Sequence, residues 1–145
     1  MRIIYLPIFY TVLLDIVAWF IIHMGVSLFA LKLPDSYFLE DSWLYRARGW
    51  ENGGKFWDKY FKVKSWKGSL PDGSLILGKG LDKKKLARVD SQYLQQFAME
   101  SRRAELTHYL VMLPALLFFL WNSVGIALLM IPYALIANVP CIISQ

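Results

Sequence analysis

Apolar and polar positions divide this chain into three long apolar blocks, with one mixed and strongly basic block between the first and the second. From Ile3 to Leu31 the chain is almost continuously apolar, interrupted by Asp15 and His23. That exceeds the ~20 residues a helix needs to cross a bilayer's hydrocarbon. Leu106 to Trp121 and Val124 to Ile143 are the second and third blocks. The second is short for a span, at about 24 Å as an α-helix, which suits a helix whose first turns continue in the interface. Trp121-Asn122-Ser123 separates the last two blocks, so they predict a helical hairpin. The first block is too long for a cleavable signal, and no convincing small-x-small site precedes Lys32. It is read as a retained membrane helix.

The middle block has its own punctuation. Leu33-Pro34-Asp35 closes the first helix, because proline restricts the residue before it and cannot extend the hydrogen-bond ladder. A loop-like stretch follows up to Trp50, and Glu51-Asn52-Gly53-Gly54 marks a sharp turn. Lys55 to Lys62 then predicts a short amphipathic helix with Phe56, Trp57, Tyr60 and Phe61 on one face and lysines on the other, lying in the interface plane. Val63-Lys64-Ser65-Trp66-Lys67 extends this aromatic and basic surface to the turn Leu70-Pro71-Asp72-Gly73. Leu75 to Leu81 is apolar but broken by Gly78 and Gly80, so a loop against the membrane is expected there. Asp90 is a good N-cap for a helix from Ser91, with Leu94, Phe97, Ala98 and Ser101 to Ala104 on its inward stripe. This helix is expected to run into the membrane, kinked at Pro114. The fold class is therefore all-α integral membrane, a single membrane domain over 1–145. Transmembrane helices are expected at 3–31, 106–121 and 124–143, with an interfacial segment of amphipathic helix and loops over 32–104.

Composition agrees: 57% of the 145 residues are hydrophobic and 16% aromatic, more than a soluble domain of this size carries. Fifteen of the sixteen Lys and Arg residues lie between Lys32 and Arg103. The positive-inside rule then predicts a multi-pass protein of the cell membrane with its N-terminus outside and its central segment and C-terminus cytoplasmic. Nine acidic residues share that segment, and its excess of cations favours anionic membrane lipids as partners, at about 1 kcal/mol per well-placed cation. Nucleic acid is a poor partner for a basic face pinned to a bilayer. Cys141 is the only cysteine, which excludes an intrachain disulfide or a thiolate metal cage. Three helices make a thin bundle, so homo-oligomerisation is plausible.

Candidate chemistry concentrates where charge meets the second apolar block, at Arg102-Arg103-Ala104-Glu105-Leu106-Thr107-His108. Charge at that depth is expensive and marks function by default. Glu105 and His108 lie three residues apart, about 60° on a helix, close enough for a carboxylate to orient and polarise an imidazole. A solvated helix start or a structural ion pair would use the same residues. Glu100 and Arg103 can share a broad face with His108, although arginines at such a position also serve as positive-inside anchors. Asp15, Trp19 and His23 fall within about 80° of arc and should face the bundle, as a polar channel or as packing. Asn138, close to Pro132 and Pro140, is expected to hydrogen-bond a neighbouring helix or a freed carbonyl ahead of contacting substrate. Glu-x-x-His also serves di-iron proteins, but those repeat the motif. One copy occurs here, and no metal is expected.

Several segments, taken together, resemble one family. Gly54-Lys55-Phe56-Trp57, Val63-x-x-Trp66-Lys67, Leu70-Pro71-Asp72-Gly73, Arg103-Ala104-Glu105-Leu106-x-His108 and Ala137-Asn138-Val139-Pro140-x-Ile142-Ile143-x-Gln145 look like the glycosyl-4,4'-diaponeurosporenoate acyltransferase family. The likeness runs from about Leu33 to Gln145, and the motifs are specific together and weak singly. The first helix has little motif content, so Asp15 and His23 receive no role from it. The resemblance implies the last acylation of staphyloxanthin synthesis. A fatty acyl group would pass from a thioester on coenzyme A or acyl carrier protein to the C6 hydroxyl of glucose in a glycosylated carotenoid or related glycolipid. No bound cofactor is implied. In that frame His108 is the general base and Glu105 its orienting carboxylate. Arg103 or an interfacial lysine such as Lys67 would bind donor phosphates, with Glu100 beside Arg103. Trp50, Trp57 and Trp66 would stack on the sugar or seat the acyl chain, or else form an interfacial belt. Glu51 and Asn138 are weaker substrate-binding candidates. With no cysteine or serine elbow beside the histidine, direct transfer is favoured over an acyl-enzyme. The rival expectation is a non-catalytic lipid-binding or scaffold protein of the same pathway.

Overall fold

The computed structural model describes residues 2–39, 42–46, 48–70 and 90–144, and all regular elements among them are helical. Helix α1 (Ile8–Lys32) begins after Pro7, where a proline's fixed φ suits a helix start. The Thr11 hydroxyl donates back to the Leu6 and Pro7 carbonyls. The expected apolar span thus starts several residues late. Residues before Pro7 are used differently: the amides of Ile3 and Ile4 donate to the Leu120 carbonyl, at 2.6 and 3.0 Å.

Helix α2 (Ser36–Leu39) is a single turn inside the stretch read as loop, followed by a 3₁₀ turn at Gly49–Glu51. Helices α3 (Lys55–Phe61) and α4 (Val63–Trp66) and a 3₁₀ turn at Lys67–Ser69 make up the aromatic and basic surface. The sharp turn before α3 is built from Asn52, Gly53 and Gly54, all in the left-handed region at φ 48°, 62° and 82°, which glycine enters without steric cost. The expected turn at 71–73 and loop at 75–81 lie outside the described residues.

Helix α5 (Ser91–Met112) is capped as its sequence predicts, Asp90 Oδ1 accepting the Tyr93 amide at 2.7 Å. Beyond Met112 the chain continues as a 3₁₀ run, Leu113–Leu120, with Pro114 at its start. The proline therefore changes the winding without stopping the rod. The change has a geometric consequence, since a 3₁₀ helix rises about 2.0 Å per residue against 1.5 Å. A segment that looked short for a bilayer gains length. Helix α6 (Val124–Ser144) contains both Pro132 and Pro140. Among the described residues three helical stretches, Ile8–Lys32, Ser91–Leu120 and Val124–Ser144, are long and apolar enough to cross a membrane.

The contacts group the chain into two units. The first comprises Met1–Lys32 and Leu106–Pro140. Its core is Trp19, Val111, Ala115, Phe118, Trp121 and Ala134, with Leu14, Ile22, Val26 and Met130 packed around them. Trp19 stacks on Phe118 with centroids 4.7 Å apart and touches the Tyr133 ring at 5.3 Å. Ile8, Phe9, Ile16, Phe20 and Ile136 point outward, an apolar surface suited to lipid. Asp15 is buried in this unit, and its Oδ1 accepts from Trp121 Nε1 and Asn122 Nδ2, each at 2.7 Å. The face bearing Asp15 and Trp19 does turn inward, as their arc on the helix predicts.

The second unit comprises Leu33–Glu105 and Cys141–Gln145. Phe38 is its fully buried anchor. Arg102 Nη1 donates to the Phe38 and Leu39 carbonyls at 2.7 and 3.1 Å, satisfying the end of α2. Arg103 lies 5.0 Å above the Phe38 ring and bonds both Asp35 and Glu100.

Replacing Asp15 by Ala strands two buried donors, so a loss of stability on the order of 2 kcal/mol or more is expected. Asp15→Asn keeps an acceptor oxygen and should lose less. Thermal unfolding of the two variants in lipid discs checks the order, and equal losses would contradict the role of the acceptor.

Candidate functional site

His108 and Asn138 meet in the first unit. His108 is carried by α5 and Asn138 by α6, and His108 Nδ1 stands 2.9 Å from Asn138 Oδ1. Asn138 is almost fully buried and His108 half-buried. Which amide atom faces the ring follows from the second bond: Asn138 Nδ2 donates to the Ala134 carbonyl, one turn back, at 2.9 Å. With the amide nitrogen turned to a carbonyl, its oxygen faces the imidazole and can only accept. Nδ1 must then carry the proton, and in a neutral ring Nε2 carries the lone pair. An amide in an apolar helix between two prolines is expected to bond a neighbouring helix or a freed carbonyl, and here it bonds a side chain on another helix. Spacing could not say that the partner is His108.

Glu105 shares α5 with His108 but belongs to the second unit. There its charge acts on Tyr45, whose hydroxyl oxygen is buried with no hydrogen-bond partner among the described residues. The Tyr45 phenol is pushed up to about 12, first by burial and then by Tyr37 and Glu105, with Arg102 pulling the other way. It remains a proton donor throughout the physiological range. Nothing in the residue pattern singled out Tyr45, because its environment depends on the approach of the Phe38 ring, with the two centroids 6.3 Å apart.

Arg103 is buried between two carboxylates, Asp35 and Glu100, and the latter pair is one of i,i+3 type. Its guanidinium is thus an internal strut of the second unit. Asp35 was legible only as a helix terminator.

Five further candidates gather around α3. Glu51 accepts from the Arg48 amide at 2.7 Å and from Trp57 Nε1 at 3.2 Å, one bond to each carboxylate oxygen. It caps the 3₁₀ turn and holds Trp57. Trp50 packs edge-on against Phe56 and Trp57, with centroids 5.1 and 5.5 Å away. Trp66 donates its indole N–H to the Phe61 carbonyl at 2.7 Å, and Lys67 is exposed at the start of the 3₁₀ turn after α4. Tyr60 and Phe61 present their rings outward, which suits an element lying in an interface. The structure therefore groups Trp50, Trp57, Trp66, Lys67 and Glu51 in one unit, together with Arg103, Glu100 and Glu105. His108 and Asn138 are paired in the other.

The family described as glycosyl-4,4'-diaponeurosporenoate acyltransferase matches residues 41–145. Proteins of that name from Staphylococcus aureus strain bovine RF122 / ET3-1 and strain N315 are each 32% identical over 127 residues, covering 88% of this chain and 76% of the relative. No solved structure matches the chain.

The Tyr45 environment predicts a pH effect with a definite sign. Its ionisation is raised in the folded chain, so the stability tied to its protonated form is complete below pH ~10 and lost as pH rises toward 12. Melting temperatures measured between pH 9 and 12 should fall less steeply for Tyr45→Phe than for the unaltered chain. Parallel curves would rule out this coupling.

Proposed function

The chain belongs to the glycosyl-4,4'-diaponeurosporenoate acyltransferase family and is an acyltransferase, and on that premise we propose that it moves a fatty acyl group from a thioester to a sugar hydroxyl. The acceptor in this proposal is the C6 hydroxyl of glucose on a glycosylated carotenoid or related glycolipid. The observation that carries it is the His108–Asn138 pair, which holds an imidazole in one tautomer within a segment apolar enough to cross a membrane.

In the proposed reaction, Nε2 of His108 takes the proton of the acceptor hydroxyl as its oxygen attacks the thioester carbonyl carbon. A tetrahedral intermediate forms, the carbon–sulfur bond breaks, and the departing thiolate takes the proton back from the imidazolium. Asn138 acts by position: its oxygen keeps the Nδ1 proton in place through both charge states of the ring. A misplaced tautomer would turn an N–H toward the acceptor, where a lone pair is needed. Glu105, one turn earlier on α5, supplies a carboxylate close to His108 along the helix. The aromatic surface of Trp50, Trp57 and Trp66 offers apolar faces for the sugar or the acyl chain. Cytoplasmic placement of the central segment is part of the proposal. It is supported by the concentration of fifteen of the sixteen cations there.

His108→Ala should lower acylated-glycolipid formation by about 10²- to 10⁴-fold, the range general acid–base catalysis contributes, while insertion into membranes is kept. Asn138→Leu should cost a smaller part of that and alter the pH profile of the rate, since it frees the ring to change tautomer. Product measured by mass spectrometry in lipid discs checks both. Full turnover in His108→Ala would remove the base from the scheme.

A further inference from the structure

The second unit contains a cavity of about 320 Å³ whose lining includes Lys55, Lys64 and Lys67, with Asp58, Trp57 and Ser144. The volume sits at the small end of the roughly 300–1,000 Å³ found for small-molecule sites. The backbone brings the lysines together: Lys62 adopts the left-handed region at φ 49°, ending α3 and starting α4, so that Lys64 and Lys67 return beside the first turn of α3. A non-glycine residue held there is a conformational cost that recurs at functional sites.

Three ammonium groups share this cavity with one carboxylate. Asp58 accepts from the Lys64 amide at 3.2 Å and pairs with Lys64 Nζ at 3.1 Å. The Asp58 carboxyl is held below the usual range first by these bonds, side chain before backbone, with the Lys67 charge adding to them. Lys64 is thereby engaged. Neither Lys55 nor Lys67 has a carboxylate partner among the described residues. The Ser144 hydroxyl is also occupied, donating to the Cys141 carbonyl at 2.8 Å. Recognition in this cavity therefore falls to two ammonium groups beside an aromatic wall, Trp57, whose indole N–H is already committed to Glu51.

Neither a sugar nor an acyl chain makes use of two ammonium groups that lack a carboxylate partner among the described residues. A phosphate ester does, through charge-assisted hydrogen bonds. The volume exceeds a single phosphate, and the indole face suits a flat heterocyclic base. We infer that the Lys55–Lys64–Lys67 cavity holds the phosphates of a nucleotide-type acyl thioester, the donor substrate, a role that rests on the acyl-transfer reading above. Lipid headgroups offer the same phosphate chemistry, and the experiment separates the two sources.

Full-length protein in phosphatidylcholine discs is titrated with free coenzyme A. The double variant Lys55→Gln/Lys67→Gln should bind it about tenfold more weakly. Asp58→Asn, which keeps an acceptor for the Lys64 amide and removes the competing charge, should bind it about threefold more tightly. That gain is a response that damage to the fold would not produce. Lysine-dependent coenzyme A binding in unaltered protein that shows no turnover would count against acyl transfer and leave the donor site standing. Binding indifferent to both Lys55→Gln/Lys67→Gln and Asp58→Asn overturns the inference. Lysine-dependent enrichment of phosphatidylglycerol in mixed discs, without coenzyme A binding, also overturns it and assigns the cavity to a headgroup.

Discussion

A polar side chain inside an apolar helix must find its partner within the protein, and the first unit is organised by that constraint. The alternative in hydrocarbon is an unsatisfied group costing several kcal/mol. Asp15 meets it by accepting from Trp121 and Asn122, which pins the middle of α1 to the turn before α6. His108 and Asn138 meet it together, and Asn138 closes its own requirement on the Ala134 carbonyl. The Trp19–Phe118 stack then fills the space between these polar ties. One polar contact is structural and the other is the one we propose for catalysis, yet both obey the same physics. The difference is chemical: the donors to Asp15 are an indole and an amide N–H, which stay protonated, whereas an imidazole can both give and take a proton.

In the second unit charge is handled in two ways. Two arginines of α5 are turned inward onto acceptors. Arg102 satisfies the carbonyls that end α2, and Arg103 lies between Asp35 and Glu100 over the Phe38 ring. A planar guanidinium with several donors can serve carboxylates and an aromatic face at once. Lysines stay outward around α3 and α4, where a compact, well-hydrated ammonium keeps its water until an anion displaces it. The aromatic rings beside them combine contact with apolar matter and ordered indole donors, each fixed by Glu51 or by the Phe61 carbonyl.

Local features were legible from the residues, and for local reasons. Asp90 caps α5 because the acceptor sits three residues from its donor. The Asn52-Gly53-Gly54 turn and α3 follow from conformational preference and a short aromatic period. Even the bond from Asn138 to another helix could be anticipated, since an amide in an apolar helix needs one. The partners were not legible. Asp15 reaches across 106 and 107 residues to Trp121 and Asn122, and Arg103 across 68 to Asp35. Periodicity carries no information over such separations. The turn α2 was hidden in what read as loop because four residues have too little pattern of their own, and its stability comes from Arg102 and from the burial of Phe38.

The sequence by itself determined the three apolar stretches, the basic block between the first two and the membership of a family of acyltransferases. Each of these depends on composition, short-range spacing or motif order, which the chain displays along its length. Only the tertiary structure decided which side chain orients the imidazole, which arginine is withdrawn into a strut and which lysines share a cavity. The spacing of Glu105 and His108 pointed to a carboxylate as the orienting group. Folding sets an amide from α6 against Nδ1, a partner that no spacing along one helix indicates. A hydrogen bond is decided by distance and direction between atoms, and those exist only once the helices have packed.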